Sequence, residues 1–341
     1  WGAGYRMAVD RMGAPTASIA YSPLDSTLST FSLYAQGDIP LAENLWQLSL
    51  GARLENHTYT GWEFQPNARL LWHVSEQSSA WASLSRAVRT PNRTERDASF
   101  SFMQVYAPFD PNLPFPAAGF NVVTASLLGS KALESETVDA FELGYRSQIT
   151  PQLSLDLNGF YHRYDDLRAA VFSGYTTLVV GAPGLLMANT VLQNALAADL
   201  RGFEASLDWR PRNDWRLSTA YSFAKMKISD DSLDLVEDLE GSLPRHIVSL
   251  RSSHDLSEKL KLDFWLRHVG ERDTTHVTSR RVPAYTSLDM RLAWSPSKDF
   301  ELSLVGQNLL ESAHQEFASD IFLTVPVVIE RRGYIQARWH F

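Results

Sequence analysis

The stretch Asn44-Leu45-Trp46-Gln47-Leu48-Ser49-Leu50-Gly51-Ala52-Arg53-Leu54-Glu55 alternates with a period of two. Trp46, Leu48, Leu50, Ala52 and Leu54 fall on one face, and Gln47, Ser49, Gly51, Arg53 and Glu55 on the other. Successive side chains of a strand point to opposite sides, so this segment predicts a strand with one apolar and one polar face. Residues 201–210 repeat the pattern: Phe203, Ala205, Leu207 and Trp209 oppose Gly202, Glu204, Ser206, Asp208 and Arg210. In 260–270, Leu260, Leu262, Phe264 and Leu266 oppose Lys261, Asp263 and Arg267, and Trp265 breaks the polar row. In 286–294, Leu288, Met290, Leu292 and Trp294 oppose Ser287, Asp289, Arg291 and Ala293.

Weaker copies lie near 1–9, 28–38, 64–74, 79–88, 136–148, 152–164, 214–227, 244–254, 299–307 and 331–341. The tally is about fourteen strands of roughly ten residues, the length of a tilted transmembrane strand. No stretch makes a convincing amphipathic helix, and no linker divides the chain. The connections alternate in length. Short ones fall at 150–152, 211–214, 256–258 and 295–298, and long ones at 10–27, 89–135, 165–199, 228–243, 271–283 and 308–330. Short turns on one rim and long loops on the other are the layout of an outer-membrane barrel. A soluble sandwich has no reason to alternate in this way. In hydrocarbon every backbone N–H and C=O needs a partner, and a closed sheet leaves no edge. The predicted fold class is therefore all-β, an antiparallel transmembrane β-barrel, with apolar side chains toward lipid and polar ones toward the lumen.

Composition agrees. The chain has 341 residues, with 10 Trp, 12 Tyr and 17 Phe, an aromatic share of 11%. Trp46, Trp62, Trp72, Trp209, Trp215, Trp294 and Trp339 lie near predicted strand ends, where interfacial girdles sit. The competing reading is that these rings fill a large soluble β core. A net charge of −8 argues against nucleic-acid binding. Hydrophobic residues at 44% and charged residues at 21% argue against global disorder. Cysteine is absent, which excludes disulfides, thiolate zinc sites and a Cys nucleophile. No apolar run reaches the ~18–20 residues of a transmembrane helix. The chain opens on Trp1 without a visible signal peptide and reads as a piece of a longer protein.

The last segment, 332–341, alternates Ile335, Ala337, Trp339 and Phe341 with Gln336, Arg338 and His340. A final strand that stops on an aromatic residue resembles the signal read by the outer-membrane barrel assembly machinery, with Trp339 and Phe341 as its aromatic positions. The glycine usual a few residues further in is replaced by Gln336. Other segments resemble the carboxy-terminal part of a TonB-dependent outer-membrane receptor. They are Ser85-Arg86-Ala87-Val88-Arg89-Thr90-Pro91, Glu134-Ser135-Glu136 with Glu142-Leu143-Gly144-Tyr145-Arg146, Arg201-Gly202-Phe203-Glu204, Leu243-Pro244-Arg245-His246 and Gly306-Gln307-Asn308-Leu309. They come in family order and cover nearly the whole chain.

This resemblance implies a 22-stranded barrel preceded by a plug domain. Residues 1–341 would be its carboxy-terminal part, an incomplete or open barrel in itself, with the plug, the TonB box and the first strands missing. It further implies active uptake of a scarce solute, such as an iron–siderophore complex or cobalamin, across the outer membrane of a Gram-negative bacterium. The implied partners are outer-membrane lipid, TonB through the missing plug and TonB box, the barrel assembly machinery and a small-molecule ligand. No cofactor and no catalysis are implied. A passive porin-like or fatty-acid channel, or an outer-membrane β-barrel hydrolase, are the other classes.

The residues themselves offer little chemistry. Nine histidines are spread out with no metal-ligand spacing, and no Gly-x-Ser-x-Gly elbow occurs. Asp165-Asp166 and Asp230-Asp231 sit where loops are predicted to begin and read as solvated acidic turns, with calcium binding or hydrolysis as the alternative. The segment 89–135 carries Phe100, Phe102, Tyr106, Phe109, Phe115 and Phe120 among five prolines. Aromatics on a long loop either pack on one another or meet a ligand. Arg86 and Arg89 approach the same rim. They would either draw an anionic ligand inward or pair with lumen acids such as Glu142 and Glu204. The candidate ligand-contacting set is thus Arg86, Arg89, Phe100, Phe102, Tyr106, Phe109 and Phe115.

Overall fold

The structure, a computed structural model, describes all residues except 17, 43–44, 108–120, 180–184, 230–238, 275–280 and 319–326. Within the strands, the side chains of 102–107, 121–123, 177–179 and 185–186 also lie outside the description. In chain order the elements are β1 (Gly2–Arg11), β2 (Ile19–Tyr21), β3 (Asp25–Leu41), β4 (Trp46–His57), β5 (Gly61–Ser75) and β6 (Ser78–Arg89). Then come α1 (Arg93–Asp97), β7 (Ala98–Ala107), β8 (Asn121–Leu128), β9 (Glu136–Thr150), β10 (Leu153–Val179), β11 (Leu185–Arg212) and β12 (Trp215–Ile228). The chain continues with β13 (His246–Ser257), β14 (Leu260–Val269), β15 (Arg272–Asp273), β16 (Arg281–Val282) and β17 (Tyr285–Ser297). It closes with β18 (Phe300–Gln307), β19 (Ala313–Gln315), β20 (Val328–Glu330) and β21 (Arg332–Trp339).

Fourteen of these strands build one antiparallel wall in the order β1-β3-β4-β5-β6-β9-β10-β11-β12-β13-β14-β17-β18-β21. Each wall strand pairs antiparallel with the next wall strand along the chain, through a turn of a few residues at one rim and mostly through longer connections at the other. With β2, β7 and β8 the sheet reaches 17 strands. Among the described residues, β1 pairs only with β3 and β21 only with β18, so the wall has two free edges.

The register turns the alternation of single strands into continuous rows. Directly opposed residues share a face. Leu50, Ala68, Leu84, Phe141 and Tyr161 are opposed in turn across five strands. On the other face runs Arg146, Asp156, Ser206, Ala220, Ser249, Arg267 and Ser287. The apolar row is open to its surroundings, with Leu50 at 45%, Leu84 at 60% and Leu304 at 58% exposure. Such rows are not pressed against a second layer, which disposes of the soluble-core reading of the aromatics. A small buried cluster of Ala169, Leu196, Ala198 and Ile228 forms where β10, β11 and β12 meet near the loop rim.

Rings mark both rims of the apolar face. At the short-turn rim Trp46 stacks on Trp72 with centroids 5.2 Å apart, and Trp209 packs near Trp215 at 6.1 Å. At the opposite rim Phe31 meets Trp62 edge-on at 6.4 Å. Along β5, Trp62 and Trp72 are ten residues apart, or ~33 Å of strand and about 25 Å of height at a tilt near 40°. That is the height of a barrel's apolar band.

Three expectations need correction. The segment 165–199 is not a loop. β10 and β11 run for 27 and 28 residues, well beyond the roughly ten predicted, and stay paired up to Val179 and Leu185. Asp165 and Asp166 therefore lie inside β10, at a register shift where Asp166 takes a φ of 58°. The period breaks at that bulge, which hid the continuing strand. The 89–135 connection also carries the single turn of helix α1 and the hairpin β7–β8. Finally, the connection 58–60 is short although it lies on the long-loop rim. β12 ends at Ile228 opposite Ala198, which frees the upper edge of β11. β8 covers that edge with a parallel pairing from Leu185–Val122 to Val191–Leu128. Asp230-Asp231 falls outside the described residues.

Candidate functional site

The loop rim is organised by α1. Asn92 caps the helix: its Oδ1 accepts from the Glu95 backbone N–H at 3.1 Å, and Glu95 Oε2 accepts from the Asn92 N–H at 2.9 Å. Glu95 is also the centre of a charge cluster. Its buried carboxylate pairs with Arg89 Nη1 at 3.1 Å and with Arg168. Arg89 Nε donates to Glu136 at 2.5 Å, and Glu136 Oε1 accepts the Arg168 backbone N–H at 3.0 Å. Two guanidiniums and two carboxylates thus tie β6, α1, β9 and β10 together. Arg93 is buried as well. It pairs with Asp10 and donates to the carbonyls of Pro23 and Leu24 at 2.6 and 2.8 Å. Arg96 lies over the Tyr59 ring at 4.4 Å and donates to the Leu133 carbonyl at 2.9 Å. Tyr59 Oη donates to Asp97 at 3.3 Å, and burial pushes the Tyr59 phenol up. A cavity of about 500 Å³ opens here, lined by Trp62, Glu63, Arg96, Lys131, Glu134 and Asp166 among others.

The predicted ligand set is only partly gathered at this rim. Arg89 joins the Glu95 cluster. Arg86 does not: it shares the apolar face with Leu84 and is held by Asp139 through two bonds of 2.7 and 2.6 Å. The acids that pair with the two arginines are Asp139, Glu136 and Glu95 rather than Glu142 and Glu204. Phe100 is half-buried on β7, opposite Ile19 and Leu127. Phe102 and Tyr106 follow on the same strand, opposite Ala125 and Val122. Phe109 and Phe115 lie outside the described residues. Trp339 ends β21 and packs edge-on against Phe300 at 5.8 Å; Phe341 is exposed. Sequence reasoning missed Glu95, Arg93 and Arg168. The Asn92-x-x-Glu95 spacing is a capping-box signature that could have marked the helix.

Below the rim the polar face is a lattice of cross-strand ion pairs. Arg146 meets Asp156 at 2.5 Å, Arg216 meets Asp208 at 2.8 Å, and Arg291 meets Asp263 at 3.0 Å and Glu301 at 2.7 Å. A shallow cavity of about 500 Å³ runs along Arg146, Asp156, Asp208, Arg216 and Arg251. Trp265, the residue that broke the polar alternation, is explained by its neighbours. Arg251 and Arg267 each lie 4.2 Å from its ring, and its indole N–H donates to Ser249 Oγ at 2.9 Å. Two cation–π contacts let an indole sit on a charged face. Trp265→Leu is expected to cost about 1–2 kcal/mol, the sum of two such contacts, in urea titrations of the folded protein. An unchanged midpoint would show that the stack contributes nothing. Among the described residues no group of three His, Asp or Glu is placed to hold a metal ion.

Residues 1–309 match the family described as TonB dependent receptor-like, beta-barrel. The chain belongs to this family of outer-membrane receptor barrels. Solved structures agree in fold. A mutant of the ferric enterobactin receptor PfeA from Pseudomonas aeruginosa is 17% identical with a TM-score of 0.69, over 92% of this chain and 45% of that one. The siderophore receptor PirA from Acinetobacter baumannii is 16% identical with a TM-score of 0.69, over 93% and 46%. The ferric-catecholate import receptor Fiu from K12 E. coli is 15% identical with a TM-score of 0.67, over 93% and 45%. The chain therefore spans less than half the length of these receptors. No curated protein sequence matches it.

Proposed function

We propose that this chain is the carboxy-terminal barrel wall of a receptor for TonB-dependent uptake of a scarce solute, an iron–siderophore complex or a cobalamin-like ligand, across the outer membrane of a Gram-negative bacterium. The observation that carries this reading is the family match over 1–309, joined to a wall with one exposed apolar face and one charged face. The apolar rows meet lipid. The charged face lines the lumen, and the tied loop rim is the outer entrance. Arg89 and Phe100 stand on the ligand side of that entrance, and the ligand-contacting set is completed by Phe102, Tyr106, Phe109 and Phe115, read from the sequence alone. Arg86 stands on the lipid side of the wall. The remaining strands of the parent barrel close against the free edges of β1 and β21, and an upstream plug carries the TonB box. Trp339 and Phe341 present the final strand to the barrel assembly machinery.

The test is growth of a receptor-deleted strain under iron or cobalamin limitation with defined ligands. Loss of growth on one ligand, restored by the full-length gene only when TonB is present, is the expected result. Uptake that persists without TonB, or a steady conductance from the purified whole protein, would replace this reading with a passive channel.

A further inference from the structure

We propose that the lipid-facing side of the wall, just beyond the apolar band on β6, β9, β10, β11 and β12, binds the phosphate headgroup of an anionic lipid. The inference rests on the membrane-wall reading above. Leu84, Phe141 and Tyr161 are opposed in turn on this face and are exposed. Two residues further toward the loops, Arg86 opposes Asp139, Asp139 opposes Arg163, Arg163 opposes Asp199 and Asp199 opposes Lys227. One step lower, Tyr161 opposes Arg201 and Arg201 opposes Lys225. Opposed residues share a face, so all of these side chains stand on the lipid side and none lines the lumen.

The carboxylates of this belt are occupied. Asp139 holds Arg86 in two bonds, Asp199 accepts from Tyr161 Oη at 2.6 Å, and Asp165 pairs with Arg163 at 3.2 Å. Arg201, Lys225 and Lys227 are exposed and make no salt bridge among the described residues. Five cations against three carboxylates leave a local excess of positive charge on a chain whose net charge is −8. Arg201 and Lys225 are moreover like charges directly opposed, an arrangement that destabilises a sheet unless an anion lies between them. A molecule that touches both this belt and the exposed rings beneath it carries an anionic head and an acyl chain together. That points to a lipid phosphate rather than a free one.

The test uses the full-length protein in neutral detergent, titrated with phosphatidic acid, with phosphatidylcholine of the same chains, and with glycerol phosphate. Phosphatidic acid is expected to bind in a salt-dependent way, and the other two at least about tenfold more weakly. The variant Arg201→Gln/Lys225→Gln/Lys227→Gln is expected to lose roughly a hundredfold in phosphatidic acid affinity, while keeping the gel mobility of a folded barrel. Equal affinity of variant and parent, or of phosphatidic acid and phosphatidylcholine, overturns the proposal. Tight binding of glycerol phosphate alone overturns the lipid assignment. A protein that folds into phosphatidylcholine vesicles yet ignores phosphatidic acid loses only this site; one that does not insert at all loses the membrane wall.

Discussion

Replacing Leu50 with arginine is expected to lower folding stability by ~2–4 kcal/mol, the cost of a cation on the lipid face near mid-band. Leu50 is 45% exposed on the apolar face, four residues from Trp46 at the turn rim, in the row that continues through Ala68, Leu84 and Phe141. Exposure to water would make the substitution nearly neutral, since a surface arginine in water costs little. Exposure to acyl chains makes it expensive, because the guanidinium must reach for the headgroups or draw water inward. Gln47, three residues away, points to the other face, so Gln47→Arg is expected to cost less than about 0.5 kcal/mol. Urea titration of the full-length protein in phospholipid vesicles measures both. Equal costs would mean that the two faces have been exchanged or that neither meets lipid.

The second large effect is at Glu95. Its side chain is 7% exposed and faces Arg89 and Arg168. Removing one partner of a buried ion pair leaves uncompensated charge and costs about 3–5 kcal/mol. Glu95→Ala strips the anion from between two guanidiniums and also removes half of the capping box on α1. The loss is expected to be local, because among the described residues α1 and the β7–β8 hairpin meet the wall at the rim and along the upper edge of β11. The expected result is rapid proteolysis within 90–107 while the barrel keeps its folded mobility. Glu95→Gln should fall between, since it keeps the cap but not the charge. Unaltered protease resistance in Glu95→Ala would show that the cluster does not hold the rim together.

The wall was legible because its two sides face different surroundings. Where one face is apolar and the other polar, period two survives in the sequence, and the fourteen wall strands were found, with the loop-side ends of β10 and β11 missed. The rim was not legible for the same reason inverted. Above the band β10 carries apolar side chains that are buried, such as Ala169, beside others that are exposed, such as Phe172 and Tyr175, and the irregularity at Asp165–Asp166 shifts the phase of the alternation. Arg86 and Arg89 show how little more was needed. They are three residues apart on one strand, an odd spacing that puts them on opposite faces, yet both were read as approaching one ligand. Glu95 and Arg168 are 73 positions apart, and no local pattern announces a contact over that distance.

The paired charges on the polar face carry a consequence for traffic. Arg146, Arg216 and Arg291 have already spent their attraction on neighbouring carboxylates. In the proposed receptor, a solute sliding past meets arginines already tied to carboxylates, with Arg251, resting on the Trp265 ring, the exception along the shallow cavity. Transit calls for grips loose enough to release, so in the proposed receptor strong capture belongs at the mouth and easy slippage along the polar wall.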